Sequence, residues 1–139
     1  MTKKKFLVIL IFATIFNSCK KDKPFQSKPS IVGRWYWVEQ TYYGYTDGQL
    51  SYYQDYTTFP SWAYFEYRSD GTFIENTMDH DGVMYYGKYE INDNILHVTE
   101  DENHQYTYTI KTLTDHQLII SLGTIDGPTG GGYKYILKR

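Results

Sequence analysis

The sequence predicts an all-β domain, an eight-stranded antiparallel up-and-down barrel, and three observations carry that expectation. Stretches of five to eight residues with period-two alternation recur from Ile31 to the end of the chain. The chain carries 16 Tyr, 7 Phe and 3 Trp, and aromatic side chains favour strands over helices. The segments between the alternating stretches fall into two length classes, short and long, that succeed one another along the chain.

Eight strands are expected at 31–43, 62–68, 72–78, 83–91, 95–99, 105–113, 117–122 and 133–138. The sixth is the clearest: Tyr106, Tyr108 and Ile110 point one way, while Gln105, Thr107, Thr109 and Lys111 point the other. In the last, Tyr133, Tyr135 and Leu137 oppose Lys134, Ile136 and Lys138. No window of a dozen residues shows helical spacing with caps.

The connections order these strands. Ser69-Asp70-Gly71, Asn92-Asp93-Asn94 and Thr114-Asp115-His116 are short and rich in Asp, Asn or Gly, as tight hairpins require. The segments 44–61, 79–82, 100–104 and 123–132 are longer. In a meander, alternate connections fall at opposite ends, so the tight turns would form a closed floor and the longer loops an open mouth. Closure of eight strands leaves room for side chains or one small ligand, and removes sheet edges that invite aggregation.

The N-terminus has a separate logic. Lys3, Lys4 and Lys5 precede an apolar run from Phe6 to Phe16, the charged and apolar regions of an export signal. Eleven residues are too few to cross a bilayer as a helix, which needs about 20. Phe16-Asn17-Ser18-Cys19 then resembles the lipobox of bacterial lipoproteins, in which the cysteine is acylated and becomes the first residue. The resemblance implies a signal peptide over 1–18, a lipidated Cys19 and a polar tether over 19–30 with Pro24 and Pro29. It also implies a folded domain over 31–139, held at the cell envelope, on the outer membrane of a Gram-negative bacterium. Acyl chains contribute about 0.8 kcal/mol per buried CH₂, enough in number to hold a domain on a membrane.

Charge and cysteine content exclude other classes. The chain has 14 Lys and Arg against 16 Asp and Glu; without the leader's three lysines the balance is 11 to 16, a net charge of −5. That argues against nucleic acid as a partner, since nucleic-acid binding needs a basic face. A single Cys excludes an internal disulfide framework and a multi-thiolate metal site within one chain.

Gly33-Arg34-Trp35 resembles the Gly-X-Trp signature of lipocalins. More closely, Val32-Gly-Arg-Trp35, Tyr64 to Phe73, Gly87-Lys-Tyr-Glu-Ile91, Asn94-Ile-Leu96 and Tyr133 to Arg139 resemble the short lipocalin-like lipoprotein domains of Gram-negative bacteria. The resemblance implies a structural floor of Gly33 and Trp35 with a basic residue of the last strand, Arg139, packed over the indole. It also implies a large first loop, 44–61, over the mouth.

Strand parity places Trp35, Trp37, Phe65, Tyr67, Phe73, Tyr85, Tyr89, Leu96, Val98, Tyr106, Tyr108, Leu118, Ile120, Tyr135 and Leu137 inside. Of these, Trp37, Tyr67, Phe73, Tyr85, Tyr89, Tyr106 and Tyr108 are expected to line an aromatic pocket for a small, partly apolar ligand. A packed aromatic core is the competing reading. Glu39 and Glu75 share inward parity, as anchors for a cationic ligand or an acid/base pair, or as solvated rim groups. No nucleophile or oxyanion hole accompanies them, so no enzyme activity and no cofactor are expected.

The mouth loops hold Asp47, Asp55, Asp79, Asp81, Glu100, Asp101, Glu102 and Asp126 and no Lys or Arg. Such a rim attracts cations, a divalent ion included, or merely keeps an aromatic domain soluble. His80 and His104 lie in the same loops, short of the converging ligands a zinc site requires, so no metal is expected. Gly130-Gly131-Gly132 precedes no helix and reads as a flexible hinge rather than a phosphate loop. The competing function is a protein- or glycan-interaction module using Tyr42, Tyr43, Tyr45, Tyr52, Tyr53, Tyr56 and Trp62.

Overall fold

A computed structural model describes residues 28–76, 83–100, 104–123 and 129–139. The described residues contain nine strands and no helix: β1 (Gly33–Thr46), β2 (Gln49–Tyr56), β3 (Tyr64–Tyr67), β4 (Thr72–Asn76), β5 (Met84–Asn92), β6 (Ile95–Thr99), β7 (Gln105–Leu113), β8 (Gln117–Gly123) and β9 (Gly130–Lys138). All neighbours are antiparallel. From β3 to β9 each strand pairs with the next, and β9 returns to β1, closing an eight-stranded up-and-down barrel.

The ninth strand corrects the expected first loop. Residues 44–61 contain β2, which folds back on β1 from Gln40↔Tyr56 to Thr46↔Gln49. The reversal is a two-residue turn at Asp47-Gly48, both with positive φ (53° and 77°), the geometry that Asp-Gly supplies best. β1 therefore serves two partners on one edge: Gly33–Tyr36 pair with β3 and Gln40–Thr46 with β2. β2 lies outside the ring, with all eight residues exposed.

The tight turns close one end. Asp70 Oδ1 accepts from the Thr72 amide at 2.9 Å and from its hydroxyl at 2.7 Å. Thr114 Oγ1 accepts from the amides of His116 and Gln117. Above them Trp35, Phe65, Tyr67, Phe73, Leu96, Val98, Leu118, Ile120 and Leu137 form a filled core. The Trp35 indole donates to the Ile31 carbonyl at 2.6 Å, and the Arg139 guanidinium lies 4.3 Å from its ring centroid. Arg139 also donates to the Val32 and Asp115 carbonyls at 2.8 and 2.6 Å, tying both chain segments to the floor. Gly33 has a φ of +134°, and a Cβ there would stand 3.1 Å from Arg139 Nη1. Close approach and backbone conformation together call for glycine.

Residues 130–132 are not a hinge. They are the start of β9, paired with β1 on one side and β8 on the other. A Cβ on Gly132 would collide with the Leu122 carbonyl and stand 2.7 Å from the Tyr43 hydroxyl. The buried Tyr43 fills the place a side chain would take, its hydroxyl donating to the Leu122 carbonyl at 3.3 Å.

Cys19 and the leader, His80, Asp79, Asp81, Asp101, Glu102 and Asp126 lie outside the described residues. Of the acidic mouth residues that are described, Asp47 sits at the hairpin tip and Asp55 on β2, not in a loop. The Tyr53 hydroxyl donates to Asp55 at 2.8 Å and holds its carboxyl below the usual range.

Candidate functional site

Above the filled floor the barrel is hollow. A cavity of about 730 Å³ occupies its mouth half. β1 contributes Trp37, Gln40 and Tyr42; β4 contributes Glu75; β5 contributes Met84, Tyr85 and Tyr86. The far wall is Tyr106 and Tyr108 of β7, Leu122 of β8, and Tyr133 and Tyr135 of β9, with Glu100 and His104 at the rim. Glu100 and His104 are joined across their connection by a backbone hydrogen bond of 3.0 Å from the Glu100 amide to the His104 carbonyl.

The rings form a continuous column from floor to mouth. Trp37 sits on Phe65 at 5.0 Å and meets Tyr135 edge-on at 5.3 Å. Tyr108 lies 6.1 Å from Tyr135. Tyr133 stacks over Tyr135 at 6.4 Å and meets Tyr42 at 4.6 Å, and Tyr42 reaches Tyr56 of β2 at 5.5 Å. Such edge-on and offset pairs are the arrangements the ring quadrupole prefers.

Five residues expected in the pocket line the cavity: Trp37, Tyr85, Tyr106, Tyr108 and Glu75. Four do not. Tyr67 and Phe73 are consumed by the floor core, packed on each other at 5.1 Å and on Phe65. Tyr89 packs against Tyr67 at 5.1 Å, and its hydroxyl donates to the Arg68 carbonyl at 2.8 Å, at a floor turn.

Glu39 is the fourth, and it faces away from the interior. Opposite β9, Trp37 pairs with Leu137 and Glu39 with Ile136, so Val38 is an extra residue. This β-bulge reverses the parity of everything after it. Gln40 and Tyr42 turn inward, while Glu39 turns outward and pairs with Lys134 at 3.0 Å. Glu39 and Glu75 thus stand on opposite faces of the wall and do not form an acid/base pair.

Gln40, Tyr42, Tyr133 and Leu122 are lining residues the sequence reading did not assign. Tyr133 and Leu122 follow from simple alternation with Tyr135 and Ile120. Gln40 and Tyr42 depend on the bulge, for which the run Trp37-Val38-Glu39 carries no local signal.

The interior favours neutral phenols. Burial is the main cause that raises the hydroxyl pKa values of Tyr67, Tyr108 and Tyr135, and the Glu75 charge adds to all three. Gln40 donates to the Tyr42 hydroxyl at 2.8 Å. Trp37 Nε1 and the Tyr67 hydroxyl are buried donors with no partner among the described residues, a rare condition in a protein interior. Among the described residues no three His, Cys, Asp or Glu side chains come together as a metal site would require.

A floor sealed by packed rings and an open, ring-lined mouth are the features with which an eight-stranded barrel holds one small ligand. Residues 31–120 match the lipocalin-like domain family, and the chain belongs to that family. The fold is similar to that of a crystal structure of an uncharacterized protein from Bacteroides eggerthii DSM 20697, at 19% identity and a TM-score of 0.50 over 79% of this chain and 99% of that one. A lipocalin-like protein from Bacteroides uniformis ATCC 8492 is similar at 16% identity and a TM-score of 0.48, over 78% and 96% of the two chains. At these identities the likeness concerns the fold. No curated protein matches the sequence.

Proposed function

We propose that this protein is a lipid-anchored envelope protein whose barrel binds a small, partly apolar ligand and performs no chemistry on it. The observation that carries the reading is the open cavity of about 730 Å³ above a filled floor. Its rings supply apolar contact area, and the unpartnered Trp37 donor gives a ligand oxygen something to pair with. The lysine-rich leader and the Ser18-Cys19 junction support export and acylation at Cys19, with residues 20–30 as the tether.

The test is expression of the full chain with its leader in a Gram-negative host. The anchored reading expects palmitate incorporation and membrane fractionation, both lost in Cys19→Ser. For ligand binding, native mass spectrometry of the purified protein and solvent extraction of its contents are expected to reveal a bound small molecule. Tyr108→Ala and Trp37→Ala are expected to release it. A barrel that retains nothing and whose Trp37 resonance responds to no small probe refutes the binding reading.

One observation supports the interaction-module reading. β2 carries Leu50, Tyr52, Tyr53 and Tyr56 exposed by 38 to 56%, on a strand that among the described residues pairs only with β1, and exposed tyrosines are frequent contact residues. Deleting 47–54 separates the two: it abolishes partner capture under that reading while leaving a ligand in the lower cavity.

A further inference from the structure

Resting on the reading of Cys19 as an acylated anchor, we propose that one outer face of the barrel is a second membrane contact. This basic, aromatic surface around the start of β1 lays the wall on the headgroups of an anionic phospholipid bilayer.

Register builds the face. Trp35, Phe65, Phe73 and Leu137 point into the core, so Arg34, Tyr36, Tyr64, Glu66 and Lys138 point out. Lys138, Tyr36 and Tyr64 stand side by side across β9, β1 and β3, Arg34 lies beside Glu66 in the next row, and Lys88 pairs with Thr72 beyond it. Arg34 and Arg68 share the Glu66 carboxylate at 2.6 and 2.8 Å, and both stay about half exposed. The Arg34 guanidinium lies 4.1 Å over the Tyr64 ring. Tyr36 is 41% exposed, and Trp62, whose carbonyl accepts from Asn76 Nδ2 at 2.8 Å, is 44% exposed.

The first argument is charge. Among the described residues the face carries Arg34, Arg68, Lys88 and Lys138 against Glu66, with Asp70 and Glu90 at its floor-side border, in a chain whose formal net charge is −2. The upper part of β1 with β2 and β9 presents the opposite balance, Glu39, Asp47 and Asp55 against Lys134. An anionic bilayer attracts the first surface and repels the second. The second argument is side-chain chemistry. Tyr and Trp settle at headgroup depth, apolar body down and polar tip in water, while Arg and Lys lay their stems along apolar surface and reach phosphates. The third is the tether. Lys28 stands nine positions after Cys19 (28 − 19), a reach of about 30 Å at most, and leads directly into Val32 and Arg34. The tether is itself basic, with Lys20, Lys21 and Lys23 against Asp22. An anchor so short keeps this face beside the bilayer.

For the test, the full chain, expressed with its leader and purified from membranes, is reconstituted with vesicles of phosphatidylcholine alone or mixed with phosphatidylglycerol. Both carry acyl chains brominated to the same extent, and Trp62 emission is read. Trp35 is fully buried and Trp37 lines the cavity, so Trp62→Phe supplies their background. The protein is expected to float with both vesicles, and Trp62 to be quenched on the anionic ones only. Added salt reverses the quenching while the protein stays vesicle-bound. Lys88→Glu with Lys138→Glu lowers the docked-to-undocked ratio by at least about tenfold. Lys111→Glu, exposed on β7 across the barrel from β3, leaves it unchanged. A vesicle-bound protein whose Trp62 stays unquenched on anionic lipid overturns the membrane face, keeps the anchor, and leaves the surface to a protein partner. An equal loss in Lys111→Glu overturns it too, since net charge would then act without a docking face. Failure to float with phosphatidylcholine alone refutes the anchor instead, and salt-sensitive quenching on anionic lipid would still support the face.

Discussion

The two halves of the barrel are written in the same alternating aromatic code, yet one is filled and the other hollow. At the floor, Trp35 faces Phe65 and Tyr67 faces Phe73 across adjacent strands, with Arg139 laid over the indole. At the mouth, the Val38 bulge swings Gln40 and Tyr42 inward, and β1 exchanges its partner β3 for β2. Ring content alone does not decide whether a barrel is packed. On β1, β3 and β4 the floor rings keep one register and pack on each other, whereas above the Val38 bulge β1 turns Gln40 and Tyr42 inward and the cavity opens.

The largest expected effect is at the floor. Trp35→Ala removes a fully buried indole and the surface that Arg139 covers, and should cost about 3–5 kcal/mol in urea denaturation. Tyr85→Ala, at the rim and 37% exposed, should cost no more than about 1 kcal/mol. Equal losses at both sites would erase the distinction between a structural floor and a site that the fold does not need.

Alkaline titration sharpens the comparison from the middle of the barrel. Burial raises the hydroxyl pKa values of Tyr67, Tyr108 and Tyr135 above the ordinary value of 10.0. The folded state therefore keeps protons that the unfolded chain releases. Stability is complete below that unfolded value and falls as pH rises past it, by about 1.4 kcal/mol per pH unit for each such tyrosine. Absorbance at the phenolate band and circular dichroism should show these three ionising together with unfolding. Their ionisation in a still-folded barrel would mean that water already reaches them.

Gly132→Ala probes the seam where the two halves share β9. The added Cβ meets the Leu122 carbonyl and the Tyr43 hydroxyl, an overpacking expected to cost about 1–3 kcal/mol. Thermal melting checks it, and Tyr43→Phe in the same background should recover part of the loss, because the phenol oxygen is one of the two obstacles.

Much of this architecture is legible in the sequence. Period-two alternation located all eight barrel strands, two of them, β6 and β7, with both ends correct, because those strands are bounded by turn residues or polar loops. The floor rings of β1, β3 and β4 are legible because parity holds along those segments, whereas β7 carries a bulge near its floor end, between Ile110 and Thr112. β2 was missed although Asp47-Gly48 is the strongest short hairpin signal there is; its all-exposed strand shows no apolar alternation. Two residues of the cavity wall, Gln40 and Tyr42, are out of reach, since a one-residue bulge changes which face they and Glu39 occupy without changing any local pattern. The glycines at 130–132 read as freedom when their role is close contact, visible only once β1 and β8 are beside them.

The smallest effect separates the outer face from the inner one. Glu66 of β3 accepts from Arg68 at 2.8 Å and from Arg34 at 2.6 Å, and these two hydrogen bonds, Arg68's first, hold its carboxyl below the ordinary value of 4.5. A lowered folded value contributes stability that is present above the unfolded pKa and lost as pH falls through the folded one. Both guanidinium groups are about half exposed, so screening limits the contribution to about 0.5–1 kcal/mol. Glu66→Gln should be less stable than the parent by that amount at neutral pH, and the two denaturation curves should converge in acid as pH falls through the lowered folded value. A difference that persists in acid would assign the loss to packing against Arg34 rather than to charge. Because Glu66 stands on the outer face of the wall and does not line the cavity, the substitution should change stability while leaving cavity binding as it is.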